Sequence, residues 1–275
     1  MVEVLRYTAF AAEPGGGNPA GLVLDAATLT DADMLRIAQE VGYPETAFVT
    51  GTTDRATSVR YFSPGAEVPF CGHATIALAG LLAEREGPGA RTFSTAAGDI
   101  ALESTIDADG TVQVAMTSVE PDSREFDATR LLEVLGLTTD DIADGHPVLE
   151  SFAGNWHPVL VLESEELFHQ FRFDPSTLAG LMHERGWAGT VIVLHPGAPG
   201  EYEARNLFPV GRITEDPATG SAAASTGAYL RMIGRAHAGD RIVIRQGRHV
   251  GRPSILLVDV PASGGITVRG GATRI

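Results

Sequence analysis

Glu45 opens a short apolar run, Glu45–Val49, directly after a helix-stopping glycine, Gly42, and a proline, Pro44. A carboxylate at the edge of a cleft is partly desolvated, and desolvation raises its pKa toward the range in which one group can both take and return a proton. Read alone, the same residue is equally a solvated glutamate at a strand start. Cys71, Gly72 and His73 follow a Pro/Gly-rich loop and enter a helix of small residues. Far downstream, Asp216, Thr219, Gly220 and Ser221 do the same. A buried helix keeps unpaired amides in its first turn, and these attract a carboxylate or a developing oxyanion. Glycine at both entrances, Gly72 and Gly220, lets a ligand approach the backbone. His73 either donates to a substrate or caps its helix. Asp216 either orients a substrate amine or closes a turn with Pro217. Ser221 is an N-cap, a substrate donor, or both.

These two stretches, Phe62–Leu82 and Phe208–Leu230, lie about 148 positions apart and carry the same pattern. The likeness extends upstream. Asn18–Leu24 followed by Glu45–Val49 is echoed by Asn155–Leu162 followed by Gly189–Val193. A period this long means two duplicated halves rather than a solenoid. In this alignment the first copy offers Glu45 where the second offers Gly189. The helices after His73 and after Ser221 lack a polar face over most of their length, so each is expected inside its half, wrapped by strands. The fold class is therefore α+β: two pseudo-symmetric halves, each a barrel-like, mostly antiparallel sheet around a central buried helix. The expected division is 1–119 and 120–263, with 264–275 returning to the first half. The polar segment Glu120–Glu125, with Pro121, is read as the linker.

Punctuation supplies the remaining elements. Thr30 with Asp33 predicts a capping box, Met34, Leu35, Ile37, Ala38 and Val41 an apolar stripe, and Gly42 a stop. Asp174-Pro175 predicts a helix running to Gly186, and Asp127 to Gly136 another. Gly15-Gly16-Gly17 reads as a turn, since no helix follows it as a phosphate loop requires.

Composition narrows the chemistry. The chain has 275 residues, is 44% hydrophobic and carries a net charge of −15, so it is globular and repels nucleic acid. All 20 basic residues are arginine. No lysine means no Schiff base, no pyridoxal-phosphate anchor and no phosphate-loop lysine. One cysteine, Cys71, forbids an internal disulfide, a thiolate-rich zinc site and any two-thiol mechanism. His146, His157, His169, His183 and His195 are scattered and read as surface or capping groups, so no metal site is expected. No apolar run is long enough to span a bilayer and the amino terminus does not resemble a signal peptide. The expectation is a cytoplasmic protein with no membrane partner.

Taken together, Gly17–Gly21, Glu45–Val49, Phe70–Thr75, Glu215–Ala222 and Gln246–Ser254 resemble the PhzF-like family of phenazine biosynthesis, in order over nearly the whole chain. The resemblance implies a diaminopimelate epimerase-like fold, a homodimer, and proton transfer without a cofactor. It implies Glu45 as general acid/base, with Gly72, His73, Asp216, Gly220, Ser221 and Asn18 in contact with substrate. Many relatives place serine before that glutamate; this chain has Pro44. Related racemases place a thiol at each helix entrance, whereas here Cys71 is answered by Thr219, which excludes two-thiol racemisation. The expected function is an isomerase that moves a proton within a small, cyclic carboxylic acid in a cleft between the halves. Two alternatives stand beside it: a racemase or epimerase using Cys71 with a non-thiol partner, and a non-catalytic relative that binds ligands.

Overall fold

A computed structural model describes residues 2–108, 110–211 and 213–275. Its contacts divide the chain into two compact units. The first runs up to Thr117 and regains Arg269–Ile275; the second is Ser118–Val268.

The first unit opens with strands β1 (Leu5–Ala9) and β2 (Asn18–Val23), then helix α1 (Asp31–Val41) and strand β3 (Glu45–Thr52). β2 and β3 are parallel. Parallel neighbours need a crossover, and α1 supplies it. Thr30 caps that helix reciprocally with Asp33 and Gly42 closes it in the left-handed region at φ 70°, while Met34, Ile37 and Ala38 pack on Val23, Phe48 and Phe62. There follow β4 (Thr57–Phe62), β5 (Glu67–Val68), α2 (Gly72–Glu86), β6 (Gly89–Thr95), β7 (Gly98–Ile106) and β8 (Val112–Thr117). The sheet closes on itself, from β1 through β2, β3, β4, β6, β7 and β8 to a strand from the far end of the chain, residues 267–274, and back to β1. α2 lies inside this eight-stranded barrel, and every residue from His73 to Ala83 is buried.

The second unit contains β9 (Asp122–Arg124), α3 (Thr129–Leu135), β10 (Leu149–Phe152), β11 (Trp156–Val161), α4 (Glu165–Gln170), α5 (Pro175–Arg185), β12 (Val191–Pro196), β13 (Glu201–Leu207), β14 (Glu215–Asp216), α6 (Gly220–Met232), β15 (Arg241–Gln246) and β16 (Ser254–Asp259); β17 (Thr267–Arg274) is the returning strand of the first barrel. The ladder repeats the first: β10–β11 antiparallel, β11–β12 parallel, β12–β13 and β13–β14 antiparallel, β13–β15 parallel, β15–β16 antiparallel. α6 packs on β10, β11 and β16, buried from Ala222 to Leu230. α3, α4 and α5 cover the other face of the sheet through Leu131, Phe168, Leu178 and Met182.

Small residues let the central helices fit. A Cβ on Gly80 would lie 2.4 Å from the Cβ of Ala272, and one on Gly227 would lie 2.6 Å from Val258 Cγ1. Glycine inside a helix costs about 1 kcal/mol against alanine. Here it allows backbone and sheet to touch.

Several sequence expectations are corrected. Residues 120–125 are not a bare linker, because Asp122–Arg124 form a strand paired with β10. The hairpin β6–β7 carries no clear alternation, its outward positions being small or charged, and sequence reading does not identify it. The pairing of Glu45 with Gly189 is off by one residue. Ala20 lies opposite Glu45, and continuing the β11–β12 register sets His157 opposite Thr190. Thr46–Val49 and Val191–Leu194 then share one burial pattern. Thr190 therefore holds the position of Glu45, and His157 that of Ala20.

Candidate functional site

At the entrance of α2 the barrel gathers three reactive groups. Cys71 is the N-cap residue, extended at φ −142°, and makes no side-chain cap hydrogen bond. Its carbonyl accepts from the Thr75 amide at 3.0 Å and from Thr75 Oγ1 at 2.8 Å. Thr75 in turn pairs with the Tyr61 hydroxyl at 2.6 Å, in full burial. This anchors the turn from inside the barrel. The thiol donates toward Glu45 Oε2 at 3.5 Å and lies 3.4 Å from His73 Nδ1. His73 Nε2 is 3.5 Å from the same carboxylate oxygen, with 23% of the Glu45 side chain exposed. Glu45, Cys71 and His73 thus form one cluster whose donor atoms all lie within 4.8 Å. Burial pushes the His73 imidazole down to about 4, against a smaller upward pull from the Pro19 backbone. At neutral pH it is an uncharged ring.

His73 is inside the first turn and does not cap its helix. Gly72 is also informative. A Cβ there would meet only Met116 Cε at 3.6 Å and Phe70 Cε1 at 3.9 Å, which are ordinary contacts. The protein's own packing does not demand glycine at Gly72, and the missing side chain leaves backbone open at a helix N-terminus. Asn18 is the first residue of β2, fully buried and opposite Ala9.

The entrance of α6 has the same backbone and different chemistry. Thr219 is the N-cap residue, with Gly220 and Ser221 inside the helix, so Ser221 is not the N-cap. Thr219 Oγ1 donates to Asp216 Oδ2 at 2.5 Å, and Gln246 Nε2 donates to Asp216 O at 2.6 Å and to Thr219 Oγ1 at 3.1 Å. Gln246 Oε1 accepts the Thr219 amide at 3.2 Å. The threonine hydroxyl is committed to this knot. Ser221 Oγ is 3.2 Å from His157 Nε2, while His157 Nδ1 faces the Thr190 carbonyl at 2.9 Å. A carbonyl accepts only, so Nδ1 carries the proton and Nε2 accepts from Ser221. With its hydrogen given to His157, the serine oxygen keeps lone pairs with which to accept.

His157 is wholly buried and held down to about 4 by that burial. The surface reading of this histidine is therefore wrong, and His146 is buried as well. What admits the ring is Gly189, whose added Cβ would lie 2.6 Å from His157 Cε1. Sequence reading also misses Arg205 and Glu215. This pair is buried at 2.6 Å, with Arg205 Nη1 on the Phe168 and Phe171 carbonyls, and it fixes β14 and hence Asp216. An Arg-x-Leu strand before a Glu-Asp dipeptide is the available signal.

No helix among the described residues is long and apolar enough to cross a membrane.

The comparisons agree with this architecture. The family model described as phenazine biosynthesis-like protein matches residues 7–275. An uncharacterized isomerase of Deinococcus radiodurans is 36% identical, the match covering 96% of this chain and 88% of the relative. An uncharacterized isomerase of Bacillus subtilis, YfhB, is 31% identical over 96% of this chain and 92% of its own length. The crystal structure of a Bacillus anthracis phenazine biosynthesis protein of the PhzF family superposes with a TM-score of 0.87 at 26% identity, covering 100% of this chain and 97% of that one. A probable proline racemase from Agrobacterium radiobacter shares the fold, with a TM-score of 0.67 at 14% identity over 100% of this chain and 91% of that one. A repeated strand ladder with a central helix in each copy, matched by the family model over residues 7–275 and by isomerases over 96% of the chain, makes the chain a member of the phenazine biosynthesis-like, PhzF-type family of isomerases.

Proposed function

We propose that this isomerase relocates a proton within a small, cyclic carboxylic acid, with Glu45 as general acid/base and no cofactor. The observation that carries the reading is the cluster at the α2 entrance. Glu45 is the carboxylate there, and it sits against a thiol donor and a neutral imidazole. The carboxylate takes a proton from one carbon of the substrate and returns it to another. Negative charge that grows on the substrate as the proton leaves is met by first-turn amides of the helix, an interaction worth about 3 kcal/mol per well-placed donor in other enzymes. Gly72, His73 and Asn18 are the proposed substrate contacts in the first unit, and Asp216, Gly220 and Ser221 are the ligand contacts proposed for the second unit taken by itself. Ser221 serves as an acceptor, which suits an ammonium or hydroxyl donor on the substrate. The protein is proposed to act as a homodimer, a state that sedimentation of the purified chain reports.

Racemisation with Cys71 as one base is less well supported. Its counterpart Thr219 is an alcohol rather than a thiol, and its hydroxyl donates to Asp216. NMR in deuterated water separates the two readings. Small cyclohexadiene and related cyclic carboxylates are incubated with the wild type, Glu45→Gln and Cys71→Ser. Deuterium at a new carbon, abolished in Glu45→Gln and retained in Cys71→Ser, supports isomerisation. Label at an inverted stereocentre, lost in Cys71→Ser, overturns it.

A further inference from the structure

Three different donor atoms meet at the α2 entrance, and their separations have a chemical meaning of their own. Cys71 Sγ and Glu45 Oε2 are 3.5 Å apart, His73 Nε2 and Glu45 Oε2 3.5 Å, and Cys71 Sγ and His73 Nε2 3.8 Å. Around a tetrahedral zinc ion with ordinary bond lengths, ligand-to-ligand edges come to about 3.3–3.6 Å. The three donor atoms have nearly the spacing of one face of that tetrahedron, and because Cys71 Sγ also lies 3.4 Å from His73 Nδ1 the imidazole must turn about its Cβ–Cγ bond to aim Nε2 at the ion. We propose that Glu45, Cys71 and His73 form a binding site for a thiophilic divalent cation of the zinc type, with the fourth corner left to water or a small ligand.

The donor set selects the ion class. One thiolate, one imidazole and one carboxylate suit zinc and its neighbours, whereas magnesium and calcium require several oxygens. The outer contacts are those that orient metal ligands. The Cys71 backbone is fixed by Thr75, and Thr75 by Tyr61. On binding, the thiol loses its proton to solvent and sulfur donates the freed pair to the ion, so one proton is released per ion bound and nothing is oxidised or reduced.

Binding is independent of the role assigned to Glu45. Only its consequence rests on the proposed function: an ion holding the Glu45 carboxylate withdraws the proton carrier, so zinc would inhibit turnover and a chelator would restore it. The histidine pair His169 and His249, 3.2 Å apart with Glu203 nearby, is the natural control, because it lies in the second unit and outside the proposed machinery.

The test uses Zn2+ and Co2+ on the full chain. Calorimetry with Zn2+ should show one site per chain and release of one proton. Co2+ should give a tetrahedral visible spectrum with a thiolate-to-metal charge-transfer band. Cys71→Ser and His73→Asn should each weaken Zn2+ at least about tenfold, and His169→Ala/His249→Ala should leave it unchanged. Binding that survives Cys71→Ser, or that vanishes with the His169/His249 pair, overturns the proposal. So does a wild-type Co2+ complex without the thiolate band, a readout that needs no variant to fold. Absence of binding refutes the metal site and leaves the deuterium assay of the isomerase intact.

Discussion

The two units carry the same ion pair in opposite surroundings. Arg60 and Glu67 in the first, and Arg205 and Glu215 in the second, stand at matching registers, each arginine two residues before the residue that faces the glutamate across the ladder. The first pair is open to solvent, with side chains 30% and 38% exposed; the second is enclosed, at 5% and 7%. The helix entrances diverge in the same way. The first holds Glu45 and His73 where the second holds Thr190 and Ser221, and the second supplies Asp216 where the first has Val68. Duplication has preserved the ladder while each copy acquired its own polar groups. Each entrance still contains one buried neutral imidazole, delivered by the helix in the first unit and by strand β11 in the second.

The sharpest way to break this comparison is to remove the proton carrier. Glu45→Gln should lower turnover by about 10²–10⁴-fold, whereas Thr190→Val at the matching position should leave proton exchange into the substrate measurable. Next come the arginines. Arg205→Met strands a buried carboxylate and should cost about 3–5 kcal/mol in urea unfolding. Arg60→Met should cost no more than about 1 kcal/mol, since exposed pairs contribute little. Equal costs would show that burial does not distinguish the two.

The imidazoles give a pH test. Their folded-state values, about 4, lie below the ordinary 6.5, so between those values the unfolded chain binds more protons than the folded one. Stability is full above pH 6.5 and falls as pH drops toward 4, by about 3 kcal/mol for each ring. Denaturation curves between pH 7 and 4 should show the loss, and His157→Asn should remove its own share. Gly189→Ala forces a Cβ against His157 and should destabilise the second unit by about 1–3 kcal/mol. Tyr61→Phe, which removes the hydroxyl under Thr75, should cost about 1 kcal/mol by thermal unfolding.

Much of the scaffold is legible in the chain because local chemistry dictates it. Capping at Thr30 and Asp174, left-handed stops at Gly42 and Gly186, and two helices with no polar face each follow from side chains within a few residues of one another. The repeat is legible because glycines and small residues recur at the same intervals. What fails is long-range register. A shift of one residue moves a strand's side chains to the other face, and sequence alignment set Glu45 against Gly189 where the ladder sets Thr190.

Sequence alone determined the α+β class, the duplication, the family and the residue types available for proton transfer, since these depend on composition, period and local order. Only the tertiary structure decided that Glu45, Cys71 and His73 meet at one helix entrance, that His157 is buried against Ser221, and that Arg205 and Glu215 are enclosed. The physical reason is separation along the chain. Glu45 and Cys71 lie in different segments, as do His157 and Ser221, and the packing of each central helix on its sheet sets their distances.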